Sequence, residues 1–332
     1  MPLPRRRVLQ LAAGFAALPS LSRVAAADDY PSRPIHLIVG FPPGGGADII
    51  ARIIGQALSQ RFNQSVVIEN KPGAGANLAA EAVVRAPPDG YTLLQIIAAN
   101  STNPWLYQNL SFDFIRDIKP VASTTRGAFV MVVNPDFPAK TIPNFIAYGK
   151  ANPGKINMAS SGIGITTHIF GQLFMNMTGI SAVHVPYRGG APAIVALIAG
   201  DVQVYFSPMP EPLEQIKAGK LRALGVTTPM RIDALPGVPS IGEFVQGYEA
   251  SGWQGLGVPK ATPDAVVAKL NDATNASLAD PAIKARLADL GVAVFASTPA
   301  QFAKLIADET AKWGDETAKW GKVIRDAGIK AE

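Results

Sequence analysis

Pro34-Ile35-His36-Leu37-Ile38-Val39-Gly40-Phe41-Pro42-Pro43-Gly44-Gly45-Gly46-Ala47-Asp48-Ile49-Ile50 is the stretch on which the fold turns. A short apolar run stops at a glycine- and proline-rich loop, and Ile49, Ile50, Ile53, Ile54 and Leu58 then recur at helical spacing from Ala47 to Phe62, with Asp48 in the first turn. The pattern is strand, glycine loop, helix. It recurs at once: Ser65 to Glu69 is a buried strand, Asn70 to Gly75 a loop, Ala76 to Arg85 a helix and Tyr91 to Ile97 a third strand. Such alternation with short connections predicts an α/β domain with a mainly parallel sheet.

The alternation restarts at Phe129-Val130-Met131-Val132-Val133. A helix near Ile142 to Lys150, the strand Ile156 to Ala159, the loop Ser160-Ser161-Gly162-Ile163-Gly164 and a helix from Thr166 to Met177 follow. Further strands fall at Ala182 to Val185, Val202 to Phe206 and Leu221 to Val226, and a return strand begins at Trp253. Long helices are expected over 263–279 and 299–327. The reading is two α/β domains, one of residues 28–127 plus 250–332 and the other of residues 128–249.

Composition narrows the function classes. The 332 residues are 48% apolar and 17% charged, which suits large buried cores and excludes intrinsic disorder and coiled coil. Cysteine is absent, so disulfides, thiolate metal sites and cysteine nucleophiles are excluded. The three histidines, His36, His168 and His184, have no metal-ligand spacing. Residues 1–27 hold Arg5, Arg6, Arg7 and Arg23 and no acid, so removing them takes the formal +5 to +1 and leaves no basis for a nucleic-acid partner.

Those 27 residues have the parts of a secretory signal peptide: a charged start, the apolar stretch Leu11 to Leu18 and Ala25-Ala26-Ala27 before Asp28. Cleavage after Ala27 is expected. A twin-arginine signal fits loosely, with Pro4 where a polar residue is usual, and an ordinary Sec signal with an extra arginine fits as well. No later segment approaches the roughly 20 apolar residues of a membrane span, so an exported, periplasmic chain that is not membrane-embedded is expected.

A glycine loop opening a helix gathers unpaired amides and the positive end of a helix dipole, which makes an anion site. Residues 40–48 and 160–167 both have this character, one in each domain. Facing each other across a cleft, they would hold the two ends of a dianion such as a dicarboxylate. Any parallel α/β sheet also needs small residues at such turns, so each loop alone can be purely structural. Gly44 to Ile49 lacks the third glycine of a dinucleotide fingerprint, although Glu69 falls about where a ribose-binding acid would stand. Ser161 lacks the G-x-S-x-G elbow, and His168 beside it keeps a serine-hydrolase alternative in view without a carboxylate to complete a triad. Arg188 and Trp253 are candidates for the cleft, with solvation and core packing as the alternatives. Residues 308–314 recur as 315–321; seven residues shift a helix face by only about 20°, so the duplication can lengthen a peripheral helix without changing its packing.

Tyr30-Pro31-Ser32-Arg33-Pro34, Gly40-Phe41-Pro42-Pro43-Gly44-Gly45, Glu69 to Gly75, Pro88-Asp89-Gly90-Tyr91-Thr92-Leu93, Ser160 to Gly164, Val185 to Gly189, Lys217 to Leu224 and Leu235 to Ser240 together resemble the Bug-type extracytoplasmic solute receptors of tripartite tricarboxylate transporters. The resemblance implies a two-lobed periplasmic binding-protein fold, type II-like, with two crossings between lobes. It also implies a small carboxylate ligand, transporter membrane subunits as partners, a monomer and no cofactor. Carried onto this sequence, the first grip is Phe41, Pro43, Gly44, Gly45 and Asp48, and the second is Ser161, Gly162, Gly164, Thr166 and His168. Asn100 is a further contact. Many relatives carry an acid just after the strand ending at Phe206, where this chain has Ser207 and then Pro208-Met209-Pro210; that argues against an amino-acid ligand. A receptor that docks on a signalling protein would use the same site.

Overall fold

The computed structural model describes residues 30–107, 109–314, 319–326 and 328–329. The expected signal peptide lies outside these residues, as do residues 315–318 of the duplication's second copy. In chain order the strands are β1 (Ile35–Val39), β2 (Val66–Asn70), β3 (Thr92–Ile97), β4 (Ile118–Gly127), β5 (Phe129–Val133), β6 (Ile156–Ser160), β7 (Ala182–Pro186), β8 (Val204–Pro208), β9 (Arg222–Val226), β10 (Gly252–Pro259) and β11 (Val292–Val294). They form two sheets, ordered β11-β4-β10-β3-β1-β2 and β7-β6-β8-β5-β9.

Each sheet is mixed, which corrects the expected mainly parallel arrangement. β2, β1 and β3 run parallel, as do β7, β6 and β8, whereas β10, β4 and β11 in the first sheet and β5 and β9 in the second pair antiparallel. The physical reason is the crossing. β4 ends at Gly127 and β5 starts at Phe129, and the chain returns through β10, so the strand that enters each sheet at a crossing, β5 in one and β10 in the other, runs against the βαβ units. The result is two α/β lobes joined side by side at the strand ends.

Sequence periodicity explains the layers. In the Gly46–Phe62 helix, Ile50, Ile53, Ile54, Ala57 and Leu58 are buried, and all but Ala57 share a core with Leu37 and Val39 of β1. Each fully buried isoleucine contributes about 1.5–3 kcal/mol. Gly55 lets this helix lie on β2, because a Cβ there would stand 2.9 Å from Ile68 Cδ1. Asn63 ends it in the left-handed region at φ 49°. In the second lobe the Thr166–Thr178 helix buries Ile169, Leu173 and Phe174 against Met158 and Phe206, and ends at Gly179 with φ 70°.

The expected helix over 299–327 is described as two, Pro299–Gly314 and Lys319–Asp326. The second packs against the first and also against the Thr166–Thr178 helix, and Val323 and Ile329 join the core of the second lobe. No helix among the described residues is long and apolar enough to cross a membrane.

Candidate functional site

The loop between β1 and its helix is locked from below. Asn70 Nδ2, at the end of β2, donates to Phe41 O (2.8 Å) and to Asp48 Oδ1 (2.9 Å). Gly44 has φ 81° and its N–H donates to Asp48 Oδ2 at 3.0 Å. Arg52 holds both Asp48 oxygens, at 2.8 and 2.9 Å. Burial opposes the charge on Asp48, but the hydrogen bonds from Arg52, Gly44 and Asn70 outweigh it and keep the carboxyl below its ordinary range. The helix then starts at Gly46, where Gly45 offers no side-chain cap, and the Gly46 N–H is instead taken across the cleft by a carboxylate of the second lobe.

The second loop is built differently. Ser161 N and Oγ both engage Thr167 Oγ1, at 3.0 and 2.9 Å, and Gly164 N donates to His168 Nδ1 at 3.1 Å. Ser160 Oγ bonds His184 Nε2 at 2.6 Å, and the His168 and His184 rings stack with centroids 3.5 Å apart. Burial pushes His168 down to about 3, helped by the neighbouring His184, and burial pushes His184 down to about 4, so both are neutral near pH 7. The Thr166–Thr178 helix also begins without a side-chain cap.

Both helix starts line one cleft between the lobes, with about 680 Å³ of empty space, part of it open to solvent. Phe41, Gly46, Ala47 and Ile97 come from the first lobe, and Ser161, Ile165, Thr166, Thr167, Pro208 and Glu211 from the second. Thr125, Phe129, Gly252, Trp253 and Gln254 close the cleft at the crossings. Among the described residues that line it there is no lysine, arginine or histidine, and Glu211 is the one ionisable side chain. An anion here is met by backbone amides, hydroxyls and helix dipoles.

Of the residues expected from the sequence, Phe41, Ser161 and Thr166 line the cleft together with Trp253. Pro43, Gly44, Gly45, Gly162 and Gly164 shape the two loops, and Asp48 and His168 are buried behind them. Asn100 is buried too, its Oδ1 accepting from Ile97 N at 2.9 Å, and does not reach the lining. Ser207 is buried and donates to Glu211 Oε2 at 2.9 Å. Arg188 is exposed, and Glu69 pairs with His36 on β1. Ser161 and His168 do not make the nucleophile–base contact that hydrolysis needs, since their side chains are taken by Thr167 and Gly164.

Sequence reasoning missed Glu211. Its Oε1 accepts from Gly46 N at 2.8 Å, across the lobes, and its Oε2 accepts from Tyr205 OH at 3.0 Å. Burial raises its pKa, opposed by hydrogen bonds from Gly46, Ser207 and Tyr205. An acid four residues beyond Ser207, after a proline-rich turn, was the available signal.

Residues 50–326 match the family model described as tripartite tricarboxylate transporter family receptor. The chain belongs to this family. The protein BugT of Bordetella pertussis is 33% identical over 332 residues, covering 98% of each chain. A solved periplasmic transporter is 40% identical with a TM-score of 0.85, covering 91% of this chain and 100% of its own. Rpa4515 of R. palustris, solved with adipate, is 32% identical with a TM-score of 0.86, covering 91% and 99%. The two-lobed form of this receptor is thus the form of solved periplasmic relatives, and its family is one of solute receptors rather than enzymes.

Proposed function

We propose that this chain is an exported receptor that closes two lobes on a small organic carboxylate and presents it to the membrane subunits of a tripartite tricarboxylate-type transporter. One observation carries the reading: two helix N-termini from different lobes, at Gly46 and Thr166, line the same cleft. Family membership and the adipate bound by Rpa4515 support the ligand class. In this reading Phe41, Ser161 and Thr166 touch the ligand, Pro43, Gly44, Gly45 and Asp48 set the first loop, and Gly162, Gly164 and His168 set the second. The lobes divide at 127/128 and 249/250, with Lys319–Asp326 strapping the first lobe to the second. The chain acts without catalysis, as a monomer, in the periplasm after cleavage following Ala27.

Binding to the folded state alone adds about 2.7 kcal/mol of apparent stability at 100 times the dissociation constant. The mature protein from Asp28 should therefore show a clear rise in melting temperature with one class of acid in a panel of mono-, di- and tricarboxylates, aromatic acids and amino acids. Flat melting curves for folded protein across the whole panel would defeat the reading. Turnover of ester or amide substrates abolished by Ser161→Ala would favour a hydrolase instead.

A further inference from the structure

The carboxylate of Glu211 already does what a ligand carboxylate would do at the first loop. It comes from the second lobe, just beyond β8, and takes the first N–H of the Gly46–Phe62 helix in the other lobe at 2.8 Å. The Gly190–Ala199 helix starts against it as well: a Cβ on Gly190 would stand 2.2 Å from Glu211 Oε2. Two helix starts from different lobes therefore lie against one built-in carboxylate, and Tyr205 and Ser207 hydroxyls complete its hydrogen bonds.

Two things follow for a ligand. The Gly46 amide is no longer free to take a ligand oxygen. A second carboxylate brought to that end of the cleft would lie beside Glu211 with no cationic side chain among the described lining residues to offset it. The start of the Thr166–Thr178 helix is the open anion site, and the same cleft is lined by the apolar side chains of Phe41, Ile97, Phe129, Ile165 and Trp253.

We propose that Glu211 is the specificity-determining residue of the cleft, standing in for one ligand carboxylate, so that the receptor takes a monocarboxylate with an apolar body and rejects the matching dicarboxylate. The inference rests on the carboxylate-receptor reading and narrows its substrate class.

Hexanoate and adipate share a six-carbon chain and differ in the second carboxylate, so calorimetric titration of the mature protein with each decides the matter. Hexanoate is expected to bind at least about tenfold more tightly, the size of effect that one unscreened like charge in a partly buried site produces. In Glu211→Gln, which keeps an oxygen for the Gly46 N–H while the Tyr205 and Ser207 hydroxyls can turn to accept, adipate should gain about tenfold relative to hexanoate. Adipate binding wild type as tightly as hexanoate overturns the proposal, and so does an unchanged ratio in folded Glu211→Gln. The wild-type ratio needs no variant, so it decides even where Glu211→Gln does not fold. Absence of binding by every acid of the panel defeats the carboxylate-receptor reading itself, which the hexanoate-to-adipate ratio does not touch.

Discussion

His168 and His184 show how far one environment can move one residue type. Their rings lie parallel within 6°, His168 buried and His184 half-buried, and their pKa values are pushed to about 3 and about 4. In the unfolded chain each titrates near 6.5. Below that pH the unfolded state therefore binds protons that the native state refuses, so the stabilising contribution is complete above pH 6.5. It is lost as pH falls towards 4 for His184 and 3 for His168. Each group contributes at most about 1.4 kcal/mol per pH unit within its window. Urea unfolding at pH 7, 6 and 5 should show this loss, and His184→Gln should lessen the slope by about one proton; equal slopes would refute the coupling. From the sequence these two histidines are sixteen residues apart and unrelated, since it is the β6–β7 pairing that sets His184 beside Ser160 and its loop. The partner of Glu211 was illegible for the same reason, the amide it accepts from lying 165 residues away. The two loops that carry Phe41, Ser161 and Thr166 were legible because glycine loop and helix start are adjacent in sequence, and the family resemblance singled out these three residues within them.

Elements with strong periodicity were readable to within a residue. The expected helix from Ala47 to Phe62 forms as Gly46–Phe62, and that from Thr166 to Met177 forms as Thr166–Thr178. β4 was not readable, because Ser123-Thr124-Thr125 gives it no apolar run although all three are buried; Ser123 is held by Ser297 and Phe295. The Ala99–Leu106 helix hid for a similar reason, with two asparagines and Pro104 in eight residues. At the first loop the element depends on one carboxylate. Asp48 is bound by Gly44, Arg52 and Asn70, so Asp48→Asn removes the charge that three donors converge on. Arg52 is half exposed, which keeps the loss below that of a fully buried pair, at about 2 kcal/mol. Chemical denaturation should report that loss, together with weaker carboxylate binding as the loop loses its shape. A variant as stable as wild type would remove Asp48 as the loop's anchor.

At the scale of the whole molecule, the lobes meet at a few points of close backbone approach. A Cβ on Gly189 would stand 2.6 Å from Pro42 Cδ, and one on Gly164 would stand 2.4 Å from Leu106 Cδ1. Both contacts join one lobe to the other; the Leu106 side chain can turn aside, but the rigid Pro42 ring cannot, so this approach of the lobes needs glycine at position 189 on spatial grounds. A ligand shifts a two-state equilibrium only by its differential affinity, and a ligand that touches both lobes, at Phe41 and at the Thr166 helix start, favours the state in which they face each other. Gly189→Ala should therefore hold Pro42 away and weaken carboxylate binding by about tenfold or more. Gly189 has φ 123°, so alanine also strains the backbone, and that effect needs a control. Gly179 supplies it: its φ is 70° and a Cβ there would meet nothing within 4 Å. Gly179→Ala is expected to cost about 1–2 kcal/mol of stability while binding as wild type does. Titration of both variants, with X-ray scattering of the liganded proteins to read their dimensions, separates the two causes. If Gly189→Ala binds as tightly as Gly179→Ala and is no larger with ligand, approach of Pro42 to Gly189 does not govern closure.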